Sequence, residues 1–346
     1  MDGARSSVLA ESDPTDSIPV HGLDYESNIT IESLLKGFKF GGFQSTHLGL
    51  SAEIIDCMLR TRQQCELETG TEFENKGYKI FISFTSNMIS SGIREALVYL
   101  AKHRLIDVLV TTAGGVEEDI IKCLGNTVLG SFSMKGSELR DKGWNRIGNL
   151  IVPNENYCLF EKWIQPLLDE LWQIQNKTGK IWTPSEMIDF FGNKINDPTS
   201  LAYWCHTNKI PIFCPGLTDG SLGDNIFFHS YAKSENPLIV DIAADIRKIN
   251  DIAIHAKHTG IIVLGGGLPK HHICNANLMR NGADHAVYIS TAQEYDGSDS
   301  GAQPDEAVSW GKIKSNANPI KVHGDATIIF PLLVAGVFKK FVKNSL

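Results

Sequence analysis

Five short apolar runs, at residues 80–84, 108–112, 210–214, 261–264 and 286–289, constrain this chain more than any other feature. They are mostly unbroken, the pattern of strands buried on both faces. Segments of helical periodicity separate them, at 86–103, 117–124, 160–175, 184–191, 200–207 and 238–258. The last carries Ile239, Ile242, Ala243, Ile246, Ile249, Ala253 and Ala256 as a stripe of 3.6-residue period. Such alternation predicts an α/β fold: a doubly wound, mainly parallel, Rossmann-like sheet with helices on both faces.

Ahead of the first strand, Thr30 is a plausible N-cap for a helix that Gly37 ends. A second helix is expected over 46–64 and a polar surface loop over 66–78. Residues 1–26 hold too few apolar side chains to anchor them and read as a flexible arm, with a short helix possible over 5–11 before Pro14 and Pro19. Residues 27–346 show no repeat, low-complexity tract or linker, so one catalytic domain is expected.

Composition narrows the function class. A formal net charge of −8 argues against nucleic acid and suits a cationic ligand. No run approaches the ~18 apolar residues of a membrane span, and no secretory leader is recognisable. The seven cysteines are scattered without a C-x-x-C pair, which indicates neither a disulfide framework nor a zinc site. A cytoplasmic location is expected, and the sequons at Asn28 and Asn176 are taken as accidental.

The densest chemistry lies at 296–312, DGSDSGAQPDEAVSWGK. Asp296, Asp299, Asp305 and Glu306 precede Trp310 and Lys312, with glycines, serines and a proline between them, so an ordered loop is expected. Carboxylates neutralise ammonium groups, and an indole face adds cation–π and apolar contact, so the stretch suits an organic polycation. A solvated acidic loop is the alternative. A lysine acts as a nucleophile when desolvation or another cation lowers its pKa, so Lys312 needs a dry wall, with Trp310 part of it; otherwise it is a salt-bridged surface lysine.

Other candidates fall at expected strand ends, where such sheets bind ligands. Ser86 and Asn87 follow the first strand, Thr112, Ala113 and Gly114 the second, and Gly265, Gly266 and Gly267 the fourth. They suit a nucleotide phosphate or simply tight strand-to-helix turns. Asp219 and Asp224 flank a glycine-rich turn and read equally as capping carboxylates. His271 and His272 diverge by about 100° on a helix, so only one can face a pocket.

Long motifs carry a resemblance over most of the chain: FTSNMISSGIRE from Phe84, TTAGGVEEDIIKCL from Thr111, NRIGNLIVPNENYC from Asn145, LTDGSLGDNIFFHSY from Leu217 and VLGGGLPKHHICNANLMRNGAD from Val263. With the acidic stretch and Asp325-Ala326-Thr327, they resemble the deoxyhypusine synthase family. The resemblance implies an NAD-dependent aminobutyl transferase that moves the butylamine part of spermidine to a lysine of a translation-factor precursor. It places Ser86, Asn87, Met88, Ile89, Ser90, Thr112, Ala113, Gly114, Glu118, Asp219, Gly265, Gly266, Gly267, Thr291, Ala292, Asp325 and Ala326 around NAD. The spermidine set it implies is Glu117, Glu118, Asp224, Gly266, Asn275, Tyr288, Gly297, Ser298, Asp299, Glu306 and Trp310. Lys312 is implied as the imine-forming nucleophile and His271 as proton acceptor, with Asn275 one turn further on the same helical face. A homotetramer with sites at subunit interfaces is also implied, as are two rivals: homospermidine synthase, with putrescine as acceptor, and a catalytically weak regulatory paralogue. His285 and Ser290 depart from the usual family pattern, which has a tyrosine and an asparagine there.

Overall fold

The structure, a computed structural model, describes residues 2–10, 17–69 and 77–342. Its strands are β1 (Tyr78–Phe84), β2 (Val108–Val110), β3 (Val128–Leu129), β4 (Trp144–Ile147), β5 (Leu150–Pro153), β6 (Ile212–Phe213), β7 (His258–Leu264), β8 (His285–Ser290) and β9 (Ile320–His323). Six form one sheet in the order β6-β2-β1-β7-β8-β9, and every pairing in it is parallel. The longest register runs from Tyr78 opposite His258 to Phe84 opposite Leu264.

Successive strand residues point to opposite faces, and both faces are dry. Ile80, Ile82, Phe84, Leu109, Ile262, Leu264, Val287 and Ile289 enter one core, packed by helices including Ile93–Lys102, Ala113–Leu124 and Ala326–Gly336. Phe81, Val108, Val110, Phe213, Ile261, Val263 and Ala286 enter the other, against the helices Ile242–His255 and Gly267–Leu278. A sheet covered on both sides explains the unbroken apolar runs.

Several expectations need correction. The 86–103 helix is two helices, Ser86–Ser90 and Ile93–Lys102, parted at Ser91-Gly92. The helix expected over 46–64 spans Phe43–Thr69, so the loop expected at 66–78 loses its start; residues 70–76 lie outside the described residues. Of the apolar stripe, Ile249 and Ala253 are buried while Ile242 and Ile246 are about half exposed. The acidic stretch is not all loop: Pro304–Ser309 is helical, started by the proline whose fixed φ suits a first turn. Within the N-terminal arm, residues Asp2–Val8 form an exposed helix, and His21 stacks on Phe40 with ring centroids 4.7 Å apart. The Thr30 cap is present as a reciprocal pair with Ser33.

Two features had no counterpart in the sequence reading. β9 carries the buried Lys321, whose charge breaks the apolar signature of a strand. The small antiparallel sheet β3-β5-β4 turns at Gly148-Asn149, with Gly148 at φ 60°.

Candidate active site

The chain builds β1, β2 and β6 outward in one direction, then returns to the other side of β1 with β7, β8 and β9. The order reverses between β1 and β7, and sheets of this kind bind ligands at such a reversal, beyond the carboxyl ends of the strands. Close approach of the loops around it depends on missing side chains. A Cβ on Gly114 would stand 2.6 Å from Ser86 Cβ, and one on Gly266 would stand 2.4 Å from Ser300 Cα. Gly265 adopts φ 86°, a region that favours glycine.

One group of candidates is polar, buried and lacks internal partners. Ser90 Oγ, Thr112 Oγ1 and Glu118 Oε2 find no hydrogen bond among the described residues, nor does Ser83 Oγ on β1. Buried polar atoms are rarely left so, and each is a donor or acceptor available to a ligand. The other Glu118 oxygen accepts from the Tyr157 hydroxyl at 3.0 Å, and burial raises the pKa of both groups. Ser83 and Tyr157 were missed from sequence; Ser83 lies inside the apolar run of β1 and Tyr157 on a distant helix, so no local spacing marked either.

Other members of the proposed cofactor set are constrained differently. Ile89, Ala113 and Ala326 are in the apolar core, which leaves only their main chain for a ligand. Asp325 Oδ1 caps the helix Ala326–Gly336, accepting from Thr327 N and Oγ1, both at 2.8 Å. Asp219, Asn87 and Thr291 are exposed, and Met88 is half-buried.

Glu117 and Glu118 sit on the helix Ala113–Leu124, beside the buried Asp119. Asp119 is structural: it pairs with Arg94 at 2.8 Å and accepts from Ser200 Oγ and the main chain of Leu201 and Ala202. Glu117 accepts from Leu222 N at 2.6 Å, which draws in the turn before Asp224. A Cβ on Gly220 would lie 2.6 Å from the Glu117 carboxylate. Burial pushes the Glu117 carboxyl up to about 7; the Glu118 and Asp224 charges reinforce the rise, and main-chain hydrogen bonds from Leu222 and Ser221 oppose it. Asp224 itself is exposed.

The second group surrounds Lys312. Its Nζ lies 3.3 Å from His271 Nε2 and 5.5 Å from the Trp310 ring centroid. Asn275 meets His271 Nδ1 at 3.2 Å, as spacing of one turn on the helix Gly267–Leu278 requires. No carboxylate stands within ion-pair distance of Lys312 among the described residues. Its neighbour Lys314 is instead held by Asp284 at 2.6 Å. Trp310 is 64% exposed, so the dry wall expected of it is open within one chain. His272 is half-buried, and burial lowers its pKa.

Beneath this group, Tyr288 is buried with its hydroxyl 3.3 Å from Cys274 Sγ, so it supports the floor of the site. Lys270 lies 5.2 Å from the Tyr288 centroid, donates to the Asp299 carbonyl and sits 3.8 Å from its carboxylate. Lys321 donates to the carbonyls of Ala292 at 2.9 Å and Gly301 at 2.7 Å. These two buried lysines anchor the acidic stretch from below. Sequence reasoning passed over them because a lysine ordinarily reads as surface. Asp296 accepts from Ser298 N, and Gly297, Ser298 and Glu306 are exposed. No side-chain hydrogen bond or ion pair joins the Glu117–Asp224 group to the Lys312 group among the described residues.

The chain matches the family model for deoxyhypusine synthase over residues 33–337. It is 52% identical to deoxyhypusine synthase of Nicotiana tabacum, covering 98% of this chain and 94% of that one. It is also 52% identical to deoxyhypusine synthase of Saccharomyces cerevisiae, over 96% and 94%, and 53% identical to homospermidine synthase 2 of Senecio vernalis, over 98% and 94%. Among solved structures, a deoxyhypusine synthase candidate from Entamoeba histolytica superposes with a TM-score of 0.67 at 33% identity, over 92% of this chain and 97% of that one.

Proposed function

The chain belongs to the deoxyhypusine synthase family, and from that premise we propose that it transfers the aminobutyl group of spermidine to a lysine of a translation-factor precursor. The observation that carries this reading is Lys312, free of any carboxylate pair among the described residues and 3.3 Å from His271, while Lys314 is tied to Asp284. A nucleophilic amine needs a lone pair and a nearby base, and a salt bridge would deny it the first.

NAD, when bound, would supply the acceptor for a hydride from the carbon beside the secondary amine of spermidine and the donor for the closing reduction. The unpartnered Ser90, Thr112 and Glu118 atoms fit such a ligand and would hold it in a Rossmann-like site beyond β1 and β2. Glu118 would take ribose hydroxyls and disfavour a 2′-phosphate. His271 holds the proton released in the oxidation. Asn275 Nδ2 lies 3.2 Å from His271 Nδ1; with the amide rotated, its oxygen would accept from Nδ1–H and leave Nε2 as the base. Lys312 Nζ then adds to the oxidised carbon, and 1,3-diaminopropane departs as the old carbon–nitrogen bond breaks. The butylamine imine on Lys312 passes to the acceptor lysine, so the sum is redox-neutral. Asp224, Asp299 and Glu306 hold the ammonium ends and Trp310 covers the methylenes. We place residues 27–346 in one catalytic domain with 1–26 as its arm, in a cytoplasmic homotetramer with shared sites.

Reduction with borohydride tests the mechanism. Labelled spermidine plus NAD should fix a butylamine group on Lys312, and spermidine alone should fix none. Lys312→Arg should trap nothing, because guanidinium keeps its proton at accessible pH. Label on Lys314, or label without NAD, would sink the assignment. Homospermidine synthases at 53% identity keep putrescine as the alternative acceptor. Supplying each acceptor to the same preparation decides between them.

A further inference from the structure

At the amino ends of β1, β7 and β8, Tyr78, His258 and His285 gather near the helix Phe43–Thr69. Cys57 on that helix places Sγ 3.6 Å from His285 Nε2, and His285 Nδ1 lies 2.7 Å from the Tyr78 hydroxyl. Cys57 is the one exposed cysteine among the seven; four are buried and two half-buried. The pair opens on a cleft of about 500 Å³, lined also by Leu50, Ile54, Asn316 and Asn318. The charges facing it are already matched: Asp284 bonds His258, Arg280 and Lys314, and Lys39 holds Glu53.

The relay gives the Cys57 sulfur a hydrogen-bond partner in either tautomer. Burial raises the Tyr78 phenol well above its ordinary value, so it keeps its O–H. Burial also lowers the His285 pKa, opposed by Asp284 and reinforced by His258 and Lys314. When the phenol donates to Nδ1, Nε2–H donates to Cys57 and stabilises the thiolate; when Nδ1–H donates to the phenol, Nε2 accepts the thiol proton.

We propose that Cys57 and His285 form a thiol-exchange site that takes a small peptide disulfide of the glutathione class. The cleft admits a tripeptide, and the Asn316 and Asn318 amides supply donors and acceptors for peptide groups. The Cys57 thiol loses its proton, and its sulfur attacks one sulfur of the disulfide. That bond breaks, and the released thiolate takes up a proton; one disulfide is exchanged for another with no net oxidation.

The test treats the intact chain with oxidised glutathione and maps adducts by mass. The adduct is expected on Cys57, absent in Cys57→Ser, and formed on the order of tenfold more slowly in His285→Gln. Tyr78→Phe keeps the ring packing and should slow the reaction by a smaller factor, which separates loss of the relay from loss of the fold. Iodoacetamide should alkylate Cys57 faster than free glutathione at pH 7. Alkylation no faster than free glutathione, or an unchanged rate in His285→Gln, would overturn the site. Exchange as fast with bis(2-hydroxyethyl) disulfide as with oxidised glutathione would overturn the peptide class.

Discussion

At the scale of single residues, Trp310 and Glu117 mark the two ways the site handles charge. Trp310 presents its indole to solvent beside Lys312, a face ready for a cationic chain. Trp310→Ala should weaken spermidine binding about tenfold or more, from a cation–π and desolvation loss of about 1–2 kcal/mol. NAD binding should hardly change, and calorimetry on both ligands checks the split. Glu117 works through burial. Its carboxyl, pushed up to about 7 from an ordinary 4.5, stays protonated in the folded chain where the unfolded chain has already ionised. The unfolded state then binds fewer protons, so stability falls as pH rises from 4.5 through 7, by about 3 kcal/mol in total. Glu117→Gln should remove that decline. Denaturant melts of both proteins at pH 5 and pH 8 read it directly, and equal slopes would refute the shift.

Elements were more legible than their ends. The five apolar runs all became strands of one parallel sheet because burial on both faces leaves no polar alternation to blur them. β9 escaped because the buried Lys321 is satisfied by carbonyls of a loop far off in sequence, a tertiary fact with no local sign. The pairing of His271 with Asn275 followed from helical spacing, whereas Lys312 opposite His271 is a long-range contact that only the resemblance indicated. The start of β8 shows how such contacts fix an element. Asp284 bonds Thr259 N on β7 at 2.8 Å, Arg280 at 3.0 Å and Lys314 at 2.6 Å. Burial would raise its pKa, but these partners together with His258 bring it down to about 2 from 3.8. Its contribution, about 2 kcal/mol, is therefore full above pH 3.8 and lost as pH falls through 2. Asp284→Asn should be less stable than the parent at pH 6, with the gap closing toward pH 2. A gap constant with pH in paired urea melts would assign the loss to packing alone.

At the scale of the whole molecule, the candidate residues divide between two bodies of side chains. Glu117 and Asp224 lie with the helices Ala113–Leu124 and Ser221–Ala232; Lys312, His271 and Trp310 lie with β8 and the stretch after it. The open Trp310 face and the exposed Phe227, Phe228 and Tyr231 leave each body with exposed aromatic surface. If two subunits complete each site, Lys312→Ala and Asp224→Ala chains are each inactive alone, because every site lacks one group. Mixed oligomers place an intact Lys312 from one chain opposite an intact Asp224 from the other at some of their interfaces. With random dimer pairing of equal amounts, about half the interfaces are mixed, and one of the two sites in each is whole. Activity near a quarter of the parent level is therefore expected from co-expressed variants and none from variants purified apart. Co-expression that stays inactive while mass spectrometry shows mixed oligomers would mean that each chain builds its site alone.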